Sequence, residues 1–259
     1  MIGIFDSGVG GLSVFREIRT ALPSGDFTYF GDTAHVPYGG KSNHEITDLT
    51  LRAVDILKQR RPDLVVIACN TATSVAISAV REKNPELPVV GVVPVLKTAA
   101  EYTKTKQVAV LATDATLKSA SYRDLKKRFA GGVETLELAL PEWVTFVEQG
   151  NLDGDDVKES VKTVAEKVTA SHADVVALGC THFPFLRPMI EKALSGIEVL
   201  DSGPAVARQV VRVLTNNGKL PAAQGSGTVK YYCSGDLGQF SAVATKLLGE
   251  RVSAEQVRA

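Results

Sequence analysis

The sequence lacks an excess of charge of either sign: its 259 residues carry 29 Lys and Arg against 29 Asp and Glu. Proteins that wrap nucleic acid or sit on anionic membrane carry a basic surplus, so neither partner is expected. Long apolar runs are also missing. The longest span about six residues, as at 64–69, against the roughly 20 that a membrane-spanning helix needs. Cysteine is scarce and odd in number, with Cys69, Cys180 and Cys233 widely spaced, which excludes a disulfide framework. The opening Met1-Ile2-Gly3-Ile4-Phe5-Asp6 has no basic segment and meets an acid at once. It reads as a strand and not as a signal peptide. Together these absences point to a cytoplasmic protein with free thiols.

What is present is an alternation. Short runs rich in Val, Ile and Leu lie at 2–5, 27–30, 64–68, 89–92, 108–111, 133–138, 175–178, 199–200 and 229–232. Most lack an apolar/polar alternation, as parallel strands buried on both faces do. Amphipathic stretches at 45–60, 73–83, 122–129, 155–171, 186–194 and 205–216 lie between them, with apolar residues at helical spacing. Strand–helix alternation implies an α/β protein with mainly parallel sheets.

The chain also echoes itself. Asp63-Leu64-Val65-Val66-Ile67-Ala68-Cys69-Asn70-Thr71 matches Asp174-Val175-Val176-Ala177-Leu178-Gly179-Cys180-Thr181-His182. The opening strand, ending at Asp6-Ser7, is matched by 108–111, ending at Ala112-Thr113. A repeat more than a hundred residues long implies two similar α/β domains facing each other across a cleft, not a solenoid of units of roughly 20–50 residues. The first boundary is expected near 94–106 and a return crossing near 202–208. That gives a first domain of 1–97 with 209–259, the tail carrying its own strand and a helix near 240–248, and a second domain of 98–208.

Cys69 and Cys180 each follow a strand, where open parallel sheets bind ligands. A free cysteine is ordinarily a small buried hydrophobe, but two in matched contexts, each followed by polar residues, need more than packing. Asn70, Thr71, Thr181 and His182 are good donors for a carboxylate or an oxyanion. Three chemistries compete. A metal could take Cys69, Cys180 and His182, although the usual Cys-x2–4-Cys spacing is missing. A Cys–His nucleophile would use one thiol and leave the other idle. A two-base proton transfer, with one thiol on each face of a carbon acid, alone calls for two equivalent cysteines.

Four segments carry a resemblance: Ile4-Phe5-Asp6-Ser7-Gly8-Val9-Gly10-Gly11-Leu12-Ser13, Tyr29-Phe30-Gly31-Asp32-Thr33-Ala34-His35-Val36-Pro37-Tyr38-Gly39, Ile67-Ala68-Cys69-Asn70-Thr71-Ala72 and Leu178-Gly179-Cys180-Thr181-His182-Phe183-Pro184. In this order they resemble the glutamate racemases of the cofactor-independent aspartate/glutamate racemase family, over nearly the whole chain. Thr-His after the second cysteine distinguishes them from aspartate racemases, which usually carry Thr-Glu. The resemblance implies interconversion of L- and D-glutamate, supplying D-glutamate for bacterial peptidoglycan, with no cofactor and no metal. It implies two α/β domains with the active site between them. Cys69 and Cys180 would be the acid/base pair, assisted by Asp6 and His182. Asp6, Ser7, Tyr38, Gly39, Asn70, Thr71, Thr181 and His182 would contact substrate, with Glu148 as the second domain's carboxylate. The resemblance allows a homodimer; the sequence itself fixes no oligomeric state.

Other signals read more plainly. Gly8-Val9-Gly10-Gly11 is no dinucleotide fingerprint, because Ser13 stands where a third glycine belongs. It is expected to be a tight turn where backbone nears a ligand. Asp32 and His35 either line the cleft or cap the following helix. Cys233 and Trp143 are packing residues, and the basic runs at 104–106 and 126–128 are solvated faces.

Overall fold

The computed structural model describes residues 1–92, 95–222 and 225–257. Its strands are β1 (Ile2–Asp6), β2 (Phe27–Gly31), β3 (Leu64–Ile67), β4 (Val89–Gly91), β5 (Gln107–Ala112), β6 (Glu134–Ala139), β7 (Val175–Gly179), β8 (Glu198–Asp201), β9 (Val229–Cys233) and β10 (Ala254–Gln256). Its helices are α1 (Leu12–Ala21), α2 (Asn43–Lys58), α3 (Asn70–Lys83), α4 (Leu96–Tyr102), α5 (Asp114–Lys118), α6 (Ala120–Phe129), α7 (Pro141–Glu148), α8 (Asp155–Ala170), α9 (Arg187–Ala193), α10 (Gly203–Asn216) and α11 (Leu237–Leu248). Short 3-10 turns occupy Tyr38–Gly40 and Phe183–Leu186.

Two sheets form, one ordered β10-β9-β2-β1-β3-β4 and the other β6-β5-β7-β8. Every pairing is parallel. The cause is visible in β1, β2, β3 and β7, which are buried at every residue and so need helices on both faces. The order β2-β1-β3-β4 recurs as β6-β5-β7-β8, which is the structural meaning of the internal echo. The aspartates that open the two copies serve turns. Asp63 pairs with the N-terminal ammonium at 2.7 Å, and Asp174 accepts the Thr103 hydroxyl and the Lys104 and Thr105 amides.

The expected strands are all present. β10, α1, α4, α5 and α7 have no counterpart among the expected elements. β10 is three residues of Ala, Glu and Gln at a sheet edge, which leaves no apolar signature. α1 begins at Leu12, directly after the glycine-rich segment that reads as a turn, with Gly11 as its N-cap. The helix expected from 73 starts at Asn70, because Cys69 itself is the N-cap.

The boundaries expected at 97/98 and 208/209 fall inside α4 and α10. α4 packs on α6 and β7, whereas α10 packs on α1, β3 and β4. Each helix thus sides with one sheet. Pro94, at the start of the expected first crossing, lies outside the described residues. Among the described residues no helix is long and apolar enough to cross a membrane.

Candidate active site

In each sheet the strand order reverses beside the first strand, and a crevice opens there at the carboxyl ends. The first crevice lies beyond β1 and β3, the second beyond β5 and β7. Asp6-Ser7 and Cys69 end the first pair; Ala112-Thr113 and Cys180 end the second. The Cys69 sulfur caps α3, accepting the Ala72 amide at 3.4 Å, and lies 3.4 Å from the Ser7 hydroxyl. The Cys180 sulfur lies 3.6 Å from His182 Nδ1.

Both cysteines line one cavity of about 300 Å³ between the sheets. Of the other expected site residues, Ser7, Tyr38, Gly39, Asn70, Thr71, Thr181 and His182 line it as well. Asp6 and Glu148 do not. Both were expected to touch substrate; the structure sets them one layer back. Asp6 is fully buried; its carboxyl accepts the Gly8 amide at 2.9 Å and the Thr181 hydroxyl at 3.1 Å. Glu148, the last residue of α7, accepts the Val9 amide at 2.8 Å and lies 2.6 Å from His182 Nε2.

The two thiols have opposite electrostatic neighbours. Burial, and then the nearby Asp6 carboxyl, push the Cys69 thiol up to about 12 against the weaker pull of Ser7 and the Ala72 amide. Cys69 is therefore a thiol at neutral pH. On the other side, burial works against a charge on His182. Hydrogen bonds to the Cys180 sulfur and Glu148 outweigh it and hold the imidazole well above its ordinary value. A cation thus faces Cys180. Asp6 is itself pushed up by burial, although His182 and the Gly8 amide oppose the rise.

The glycine-rich turn approaches protein rather than ligand. A Cβ at Gly8 would fall 1.8 Å from Glu148 Oε1, and one at Gly10 only 2.4 Å from His182 Nδ1. Only glycine admits this approach. Nearby, the Ser13 hydroxyl donates to the Thr181 carbonyl at 2.7 Å. Across the cavity, the Thr71 and Thr113 hydroxyls lie 2.9 Å apart. The two halves are therefore laced together around the cavity.

Several lining residues escaped the sequence: Pro37, Gly40, Thr113, Asp114, Pro141 and Val144. Thr113 had a signal, because the echo aligns it with Ser7. One donor stands unused. Asn70 is buried, and its Nδ2 has no hydrogen-bond partner among the described residues. A buried amide without a partner is costly unless a ligand or water completes it. Among the described residues no three His, Cys, Asp or Glu side chains gather so as to hold a metal ion. Cys233 is fully buried away from the cavity.

The chain is similar to known proteins over nearly its whole length. Residues 2–210 match the family model described as Asp/Glu/Hydantoin racemase. A glutamate racemase of Ectopseudomonas mendocina is 41% identical over 251 residues, covering 96% of this chain and 95% of the relative. The crystal structure of Escherichia coli glutamate racemase in complex with L-glutamate and activator UDP-MurNAc-ala superposes with a TM-score of 0.87 at 34% identity, covering 99% and 97% of the two chains. Glutamate racemase from Thermus thermophilus in complex with beta-chloro-D-alanine gives a TM-score of 0.82 at 35% identity, covering 99% and 96%. With paired thiols in one cavity and relatives matched nearly end to end, the chain belongs to the Asp/Glu/Hydantoin racemase family and is a racemase.

Proposed function

We propose that the enzyme interconverts L- and D-glutamate by a two-base proton transfer, with Cys69 on one side of the α-carbon and Cys180 on the other. The observation that carries this is the presence of both thiols, delivered by equivalent strand ends, in the wall of one cavity. Its volume of about 300 Å³ is at the small end of ligand pockets, in keeping with an amino acid.

The α-proton is a very weak acid, and a free thiol with a pKa of about 8.5 is only a few per cent ionised at neutral pH. The site needs one thiolate and one thiol. His182 supplies a positive charge beside Cys180, while Asp6 and burial disfavour charge on Cys69. Charge is thus disfavoured at Cys69, while a cation faces the opposite thiol. Cys180 removes the α-proton from one face as Cys69 delivers its own to the other, and the enantiomer is handled in reverse. Asn70 Nδ2 and the hydroxyls of Ser7 and Thr71 hold the substrate's carboxylate, and the Thr181 hydroxyl, whose proton goes to Asp6, accepts from its ammonium. Such fixed donors need no reorganisation as charge develops at the α-carbon. Asp6 and Glu148 act through Thr181 and His182.

We place the lobe boundaries ahead of α4 and α10, so that each lobe keeps whole helices and can close on the substrate as a body. The enzyme would work in the cytoplasm and supply D-glutamate for peptidoglycan. Circular dichroism with L-glutamate and, separately, L-aspartate tests the substrate. Loss of the glutamate signal only is expected, with deuterium entering the α-carbon in D2O. Cys69→Ser and Cys180→Ser should each cut turnover by several orders of magnitude; near-normal racemisation in either variant refutes the two-thiol scheme.

A further inference from the structure

The segment from Gly31 to Gly40 brings Pro37, Tyr38, Gly39 and Gly40 to the cavity wall. Its turn contains two consecutive glycines, which have little conformational preference of their own. Something else must hold it. Asp32 neither lines the cavity nor caps the next helix, which is capped by Ser42. Asp32 is fully buried, and three side chains converge on its carboxyl. The Tyr38 hydroxyl donates at 2.7 Å, the Ser234 hydroxyl donates at 2.6 Å, and His35 Nδ1 lies at 2.8 Å.

Ser234 follows β9 at the far end of the chain, and it grips the segment at more than one point. Its hydroxyl oxygen accepts the Ala34 amide at 3.0 Å, and its own amide donates to the Gly31 carbonyl at 3.2 Å. The next amide, Gly235, donates to the Thr33 hydroxyl at 3.1 Å. The phenol has one proton to give, and in this geometry Asp32 receives it. Tyr38 therefore meets the cavity through its ring and backbone, and its hydroxyl serves as an anchor.

We propose that Asp32 and Ser234 are positioning residues: a clasp through which the end of β9 holds the Tyr38-Gly39-Gly40 turn in its substrate-ready shape. The kinetic part of the proposal rests on the glutamate reading above; the structural part does not. A buried carboxyl that loses a donor, together with a backbone amide that loses its acceptor, will release the turn.

Two measurements on the full-length protein test it. In ligand-free protein, amide hydrogen exchange across residues 38–41 should speed up about tenfold in Ser234→Ala and stay near wild type in Ser234→Thr, which keeps the hydroxyl. With L-glutamate, KM should rise about tenfold in Ser234→Ala with kcat within about threefold, and Ser234→Thr should restore it. Tyr38→Phe combined with Ser234→Ala should raise KM by less than the product of the single effects. Unchanged exchange in Ser234→Ala overturns the clasp whatever the substrate. So does a fall in kcat at constant KM, or a Ser234→Thr variant as impaired as the alanine. Wild-type protein that leaves L-glutamate untouched would overturn the substrate reading alone, with the exchange experiment still deciding the clasp.

Discussion

If Cys69 rests as a buried thiol beside a carboxyl group, its reactivity should be low by a calculable amount. Its pKa stands at about 12 against an ordinary 9.0, so ionising it costs about 4 kcal/mol more than ionising an exposed thiol. Near pH 7.5 the thiolate fraction is then lower by roughly a thousandfold. A more basic thiolate is intrinsically more nucleophilic, and a Brønsted slope of about 0.4–0.5 returns some 15- to 30-fold of that loss. The net expectation is thiol–disulfide exchange roughly 30- to 60-fold slower than for an unperturbed thiol, with burial slowing it further. A Cys180→Ser/Cys233→Ser variant isolates Cys69. Its reaction with an aromatic disulfide, followed by absorbance, is compared with the same variant unfolded in urea. The rate should also keep climbing with pH beyond 9, without a plateau. A folded-state rate equal to the unfolded one, or a plateau below pH 9, would mean that burial and the Asp6 carboxyl do not hold the Cys69 thiolate back and would refute the reasoning.

Three further outcomes follow from the site. Glu148→Gln removes one partner of a nearly buried pair with His182, 2.6 Å away, and should cost about 3 kcal/mol in urea denaturation. Because the His182 pKa is raised in the folded state, that difference is fully present below about pH 6.5 and shrinks as the pH rises through the folded value. Asp6→Asn should lower activity yet raise the melting temperature at pH 7. Burial raises the Asp6 pKa, so its contribution favours folding below the unfolded value near 3.8 and turns into a penalty as the pH climbs past the folded one; the gain of the Asn variant should vanish in melts near pH 4. Gly10→Ala would drive a methyl to 2.4 Å from His182 Nδ1. Misplacement of that order should reduce kcat by about a hundredfold, with far-ultraviolet circular dichroism unchanged.

Much of this arrangement is legible in the sequence because it is local. Doubly buried parallel strands carry continuous apolar runs, and Cys69 and Cys180 announce themselves by following two such runs in matched surroundings. What is not legible depends on the packing of distant segments. Nothing near Asp6 or Glu148 in the chain says that they stop one layer short of the cavity; that is decided by Gly8 and Gly10, whose missing side chains let α7 and the Thr181-His182 turn press inward. Ser234 belongs to the same class. Its partner Asp32 lies some two hundred residues away, and a serine after a strand has no distinguishing pattern. Thr113 is the intermediate case, since the echo aligned it with Ser7 but a lone threonine after a strand is unremarkable without the cavity.

The echo is imperfect where it matters most: Asp6 of the first half stands opposite Ala112 of the second, and His182 opposite Thr71. Mirror-image substrates have equal free energy in achiral water, so an isomerase with lopsided halves still cannot favour one hand at equilibrium. Its specificity constants in the two directions must match. The lopsidedness can surface only as compensating shifts, a tighter but slower turnover for one hand and a looser but faster one for the other.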